Sequence, residues 1–192
     1  MNLLKLHIGC AAKRLEGYIN IDSRQTDATD HVCDASAITI VSECSVSEIY
    51  SRHMLEHLDP NDAMSTLKHW HDLLAPSGIL KLIVPDITFH AQQILGLVQS
   101  TMGDQNLHAM AGFWGWRDET RGGSKEDAHR WGYTEKSLVQ ILKDLGFTDV
   151  QRVLEGVDSE PWHLNLIARP QSSAVVNQIN FSHLSVGNSF SQ

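Results

Sequence analysis

The chain has 192 residues, 42% of them hydrophobic, which suits one domain with a full core and leaves little room for two. Fifteen basic against 23 acidic residues give a formal net charge of -8, and this argues against sequence-independent binding to DNA or RNA, which needs a basic face. No apolar run approaches the roughly 20 residues of a membrane span, and MNLLKLHIG lacks the charged start and long apolar stretch of a secretory signal. Cys10, Cys33 and Cys44 form no CxxC pair, so they read as reduced thiols and a cytoplasmic location is expected.

In chain order, an apolar run from Leu3 to Ile8 breaks at Gly9, and a second from Tyr18 to Ile21 closes on Asp22. Strand, glycine turn and a second strand ending in a carboxylate is how an α/β domain holds the adenosine half of a cofactor. A strand is expected over residues 46–51, followed by the segment RHMLEHL. A helix is expected from Asn61 to Leu74, capped by Asp59 or Asn61 around Pro60, with Ala63, Leu67, Trp70, Leu73 and Leu74 spaced for one buried face. His69 and His71 on that helix read as exposed. Pro76-Ser77-Gly78 stops it, and GILKLIV (78–84) reads as a buried strand ended by Pro85-Asp86.

Ile87 to Gln99 is expected to be helical, with Ile94, Leu95 and Val98 on one face. Thr134 is the expected N-cap of EKSLVQILKDL, with Leu138, Ile141, Leu142 and Leu145 buried and Gly146 as the stop. Residues 150–157 and 163–168 then read as two closing strands able to pair antiparallel. Strands alternating with helices imply a mostly parallel sheet covered on both faces. Residues 100–133, with three tryptophans and little periodicity, read as an irregular lid or substrate segment on a single domain of residues 1–170. Residues 171–192, rich in Ser, Asn and Gln, read as a polar tail.

The order of these features resembles the class I S-adenosylmethionine-dependent methyltransferases, and more narrowly a small bacterial, type 11-like group of them. Ile8-Gly9-Cys10, Asp22 and Cys33-Asp34 follow the first three strands. HMLEHL, LLAPSG and KLIVPD come next, and HRWGYTEKSLVQILKDLGF resembles the group's later segment. The likeness covers about residues 3–169. It implies a Rossmann-like α/β methyltransferase fold with a mostly parallel seven-stranded sheet, and S-adenosyl-L-methionine as cofactor with S-adenosyl-L-homocysteine as product. It implies an acceptor that is a small molecule or sugar, methylated on a hydroxyl oxygen. Two departures stand out. Ala11 occupies the place of the second glycine in the pattern's GCG, a methyl that a negative φ would accommodate. Ser77 replaces a glycine of LKPGG.

On this resemblance Gly9, Cys10, Ala11, Asp22, Asp34, Ala35 and Ser51 form the cofactor set, with Asp22 on the ribose hydroxyls and Asp34 on the adenine amino group. The competing reading of the two aspartates is turn capping. The distance from Gly9 to Asp22 is short for a dinucleotide fingerprint, and GxGxxG is absent. His53, Asp86 and His129 are the catalytic candidates, His53 first as base or orienter because an imidazole suits proton removal from a hydroxyl. Asp86 could equally cap the next helix. Glu56 or His57 would tie down the loop. Trp114, Trp116 and Trp131 could stack on an acceptor or pack the lid.

His53-Met54-Leu55-Glu56-His57 is also a literal HxxEH, which in a helix would offer His53 and His57 to zinc. Its place directly after a strand and close to Pro60 leaves little room for that helix, so no metal ligand is assigned, although Glu126 or His129 could supply a third. A zinc-dependent hydrolase and a cofactor-binding module without turnover are therefore the alternative functions.

Overall fold

A computed structural model describes residues 3–119 and 123–171. Its strands are β1 (Leu4–Ile8), β2 (Ile19–Asp22), β3 (His31–Val32), β4 (Val46–Arg52), β5 (Leu74–Pro85), β6 (Phe147–Arg152) and β7 (His163–Pro170). They form one seven-stranded sheet in the order β3-β2-β1-β4-β5-β7-β6. Strands β1 to β5 pair in parallel, with Ile8 beside both Ile21 and Ser51. β7 runs antiparallel to β5 and β6, as the two closing strands require. The ends of β1 (Leu6–Ile8), β2 (Asn20–Asp22) and β5 (Leu82–Pro85) are buried without a break because a strand inside such a sheet is covered on both faces.

Among the described residues four α-helices complete the fold: α1 (Pro60–Leu73), α2 (Ile87–Ile94), α3 (Gln105–Trp114) and α4 (Glu135–Asp144). From α1, Ala63, Leu67, Trp70 and Leu73 enter the core, and from α4, Leu138 and Leu142. Each fully buried side chain of leucine size contributes about 1.5–3 kcal/mol. Trp70 also donates its indole N–H to the Ala35 carbonyl (2.9 Å), so α1 fixes the loop beyond β3. His69 and His71, expected to be exposed, are half-buried. Each bonds a backbone carbonyl, of Ile38 (3.1 Å) and Gly146 (3.3 Å) respectively. Thr134 caps α4 in a reciprocal box with Ser137.

Other boundaries differ from expectation for local reasons. α2 stops at Ile94 because Gly96 turns the chain at φ +72, and it buries Phe89, His90 and Gln93 rather than Ile94 and Leu95. β5 begins at Leu74: Val46 pairs with Leu74 and Glu48 with Ile79, so Ala75–Gly78 is an irregularity within the strand. β6 begins at Phe147, directly after Gly146 (φ +90), and the ring of Phe147 packs against His71. The segment expected to be irregular contains α3, N-capped by Asp104. Its Gly112 lies so close to the His90 ring that even a methyl would overlap it. The connections between β1, β2, β3 and β4 hold no helix among the described residues. The polar tail, from residue 172 on, lies outside the described residues. Among the described residues, no helix is long and apolar enough to cross a membrane.

Candidate active site

The carboxyl ends of the parallel strands are where an open α/β sheet binds its ligands. Two cavities meet there. One, of about 410 Å³, is lined by Gly9, Ala11, Asp22, Arg24, Cys33, Asp34 and Ala35, with Met54, Leu58, Glu126 and Asp127 opposite. The other, of about 500 Å³, is lined by Arg52, His90, His108, Trp116, His129, Trp162 and His163. His53, His57 and Asp127 line both.

The first cavity is built on the turn after β1. Gly9 turns at φ +76, and its N–H and that of Cys10 both reach the Ile21 carbonyl. Ala11 follows at φ +45, contrary to the negative angle that would accommodate its methyl. Left-handed backbone costs a non-glycine residue roughly 1–2 kcal/mol, and neighbouring bonds hold it there. The Ala11 N–H donates to Asp22 Oδ2 (2.8 Å), and Thr26 Oγ1 donates to the Ala11 carbonyl (2.5 Å). Asp22 Oδ1 accepts from the Arg24 N–H (3.0 Å). Asp22 is thus buried at the end of β2 with both oxygens oriented by backbone, each retaining acceptor capacity toward the cavity.

Asp34 combines both of its expected readings. Its Oδ1 accepts from the Ser36 N–H and hydroxyl, bonds that hold its carboxyl below the ordinary range, while the residue also lines the cavity. Ala35 lies beside it. Cys10 and Ser51 do not line the cavity. The Cys10 thiol is buried against Thr29 Oγ1 (3.7 Å), where burial raises its pKa, and Ser51 sits fully buried in β4 with a hydroxyl that has no partner among the described residues. Sequence reading overlooked Asn20. Its buried side chain bonds the backbone at Leu15 and Tyr18, and also His7 and Asp30, fixing the Gly9–Tyr18 connection.

His53 stands where the two cavities join. Its N–H makes the last sheet bond, to Ile83 O (2.8 Å), and the chain then leaves β4 at φ +50. Nδ1 lies 2.9 Å from Oε1 of Glu56, which is 1% exposed. Burial works to raise the Glu56 pKa, but the His53 bond and the fields of His129 and His57 prevail and lower it. A single 3-10 turn, Leu55–His57, carries Glu56 and His57 instead of a longer helix, and His53 lies before it. The Glu56 carbonyl accepts from the N–H groups of Arg130 and Trp131, which brings His129 over the turn. His129 Nδ1 lies 3.0 Å from Gly112 O and Nε2 lies 3.9 Å from Glu56 Oε1, while burial lowers its pKa against the pull of Glu56.

Asp86, by contrast, caps α2 through Thr88 and Phe89 and meets Arg152 Nη2 at 2.9 Å. It is 4% exposed and lines neither cavity, so the capping alternative describes its position. Trp116 lines the second cavity, whereas Trp114 and Trp131 are mostly exposed. Trp162 and His163, at the entrance of β7, enter the second cavity. Sequence reading assigned His163 only to a closing strand and gave Trp162 no role. The aromatic-imidazole pair just before an apolar run was the available signal.

Residues 14–152 match the family model described as a methyltransferase domain. No curated protein matches the chain. Among solved structures, a SAM-dependent methyltransferase from Methanosarcina mazei superposes with a TM-score of 0.55 at 18% identity, covering 87% of this chain and 92% of that one. One from Archaeoglobus fulgidus gives 0.57 at 16% identity, covering 87% and 86%. The 1,6-didemethyltoxoflavin-N1-methyltransferase of Burkholderia thailandensis, solved with 1,6-didemethyltoxoflavin and S-adenosylhomocysteine, gives 0.56 at 16% identity, covering 88% and 71%. The sheet order and these superpositions agree on a Rossmann-like methyltransferase fold.

Proposed function

The chain belongs to the methyltransferase-domain family as a class I S-adenosylmethionine-dependent methyltransferase, and on that premise we propose that it methylates a hydroxyl oxygen of a small or sugar-type acceptor, with His53 as general base. The observation that carries this reading is the position of His53, at the junction of the two cavities with Nδ1 against the buried Glu56 carboxylate. An N–H donated from Nδ1 to a carboxylate leaves Nε2 as the proton acceptor, and fixes the ring besides.

The residues of the first cavity fit the cofactor. Its volume lies in the range of small-molecule sites, about 300–1,000 Å³. Asp22 offers two oriented carboxylate oxygens to the vicinal hydroxyls of a ribose, and Asp34 with Ala35 forms the wall where the adenine ring fits. Gly9 and Ala11 would lie along the methionine portion. S-adenosylmethionine supplies a methyl group made electrophilic by its sulfonium and leaves as S-adenosylhomocysteine. The protein's part is to align an acceptor oxygen with that methyl, exclude water and remove the hydroxyl proton; positioning supplies much of the rate.

The second cavity is the acceptor side, and the 100–133 segment of the 1–170 domain shapes it through His108, Trp116 and His129. Its imidazole and indole walls suit a polar ring that can both stack and accept hydrogen bonds. Asp86 is left to hold α2 and Arg152 in place. Turnover is tested by following S-adenosylhomocysteine release with panels of sugar, phenol, amine and carboxylate acceptors. Hydroxyl acceptors should react, and His53→Gln should lower kcat by about 10²–10⁴ while S-adenosylhomocysteine binding by calorimetry persists. Turnover confined to amines or carboxylates, or an undiminished His53→Gln, would overturn the proposal.

A further inference from the structure

We propose that Glu56, His57 and His129 form a binding site for one divalent first-row cation, Zn²⁺ or a neighbour of it, at the edge of the acceptor cavity. Each offers one ligand atom, and the three atoms lie within 4.8 Å of one another. Two imidazoles and a carboxylate are the donor set that such ions prefer over Mg²⁺ or Ca²⁺. The tautomers are prepared for it. His57 Nδ1 lies 3.1 Å from Ala128 O, and His129 Nδ1 lies 3.0 Å from Gly112 O. A carbonyl only accepts, so each Nδ1 carries the proton and each Nε2 keeps its lone pair, the arrangement usual behind metal-bound histidines.

Glu56 gives the second, independent observation. Its side chain is 1% exposed, His53 takes up Oε1, and Oε2 is buried with no hydrogen-bond partner among the described residues. An unpartnered buried carboxylate oxygen is costly, and a cation is one of the few groups that would satisfy it. The ligands are not the pair that the HxxEH spacing suggests. A 3-10 turn in place of a helix leaves His53 bonded to Glu56, and His129 is brought beside His57 by the backbone bonds of Arg130 and Trp131 to the Glu56 carbonyl.

The remaining coordination positions would open toward the second cavity, which His57 and His129 line. An acceptor oxygen could complete the shell there and lose its proton more easily; that consequence rests on the hydroxyl reading above, whereas the cation site does not.

The test uses the full chain, stripped with a chelator and titrated with Zn²⁺ by calorimetry, with Co²⁺ absorption as a report on ligand geometry. One equivalent should bind, with affinity reduced at least tenfold in both His57→Gln and His129→Gln. His163→Gln, in the neighbouring Asp158, Glu160 and His163 group, should leave it unchanged. S-adenosylhomocysteine binding, measured on the same samples, reports folding and the cofactor site separately. Cofactor binding without stoichiometric Zn²⁺ would overturn the cation site alone, as would Zn²⁺ binding indifferent to both variants or lost in His163→Gln.

Discussion

Ala11 combines a left-handed backbone, φ +45, with two bonds that prevent it from relaxing, to Asp22 and to Thr26. Alanine there costs roughly 1–2 kcal/mol, whereas glycine would remove that strain and add about 0.4–1 kcal/mol of chain entropy to the unfolded state. Ala11→Gly should therefore leave stability unchanged or raise it by up to about 1.6 kcal/mol. Its methyl also borders the cavity assigned to the cofactor. Calorimetry should show S-adenosylhomocysteine binding equally or a few-fold more tightly to Ala11→Gly. More than a tenfold loss would mean that the turn does not serve the cofactor as proposed. Gly9 and Asp22 were legible because strand, turn and carboxylate are close in sequence. The sign of φ at Ala11 was not, since it is imposed by bonds to Asp22, at the end of β2, and from Thr26 beyond it.

At the scale of elements, the sequence is informative where one face is apolar and the ends are capped. Thr134, the Leu138 and Leu142 stripe and Gly146 define α4 without tertiary help. α3 is different, because QNLHAMAGFW mixes small, aromatic and polar residues without one clear apolar face. Its location is set by Gly112 against the His90 ring of α2, a contact no periodicity reveals. Gly112→Ala would force a methyl into that ring. Overpacking of this kind costs about 1–3 kcal/mol, partly offset by alanine's better helix propensity, about 1 kcal/mol over glycine. Denaturant melts should show a net loss, and acceptor turnover should fall with it, because the Gly112 carbonyl also holds His129. Unchanged stability and turnover would mean that α3 does not depend on this close approach.

Across the whole molecule, the site draws on segments that lie far apart in the chain. Glu56 and His129 meet only because the Glu56 carbonyl binds the backbone at Arg130 and Trp131. Sequence could name both residues but not their distance. The same assembly buries histidines, and at His90 that burial makes stability depend on pH. The residue is 2% exposed, and burial lowers its pKa to about 4, outweighing the opposing hydrogen bond that His90 Nδ1 donates to Gln93 Oε1. An unfolded histidine titrates near about 6.5. Between those values the unfolded chain binds the additional proton, so stability rises with pH over that window. His90 contributes in full above about pH 6.5, and its contribution disappears as the pH falls through about 4, a change of roughly 3 kcal/mol. Urea melts should find the wild type losing stability between about pH 7 and pH 4.5. His90→Gln, less stable at neutral pH because its ring no longer packs on Gly112, should lose measurably less over the same interval. Parallel pH profiles for the two proteins would show that His90 is not held neutral by burial, and that the α2–α3 contact does not keep it from its proton.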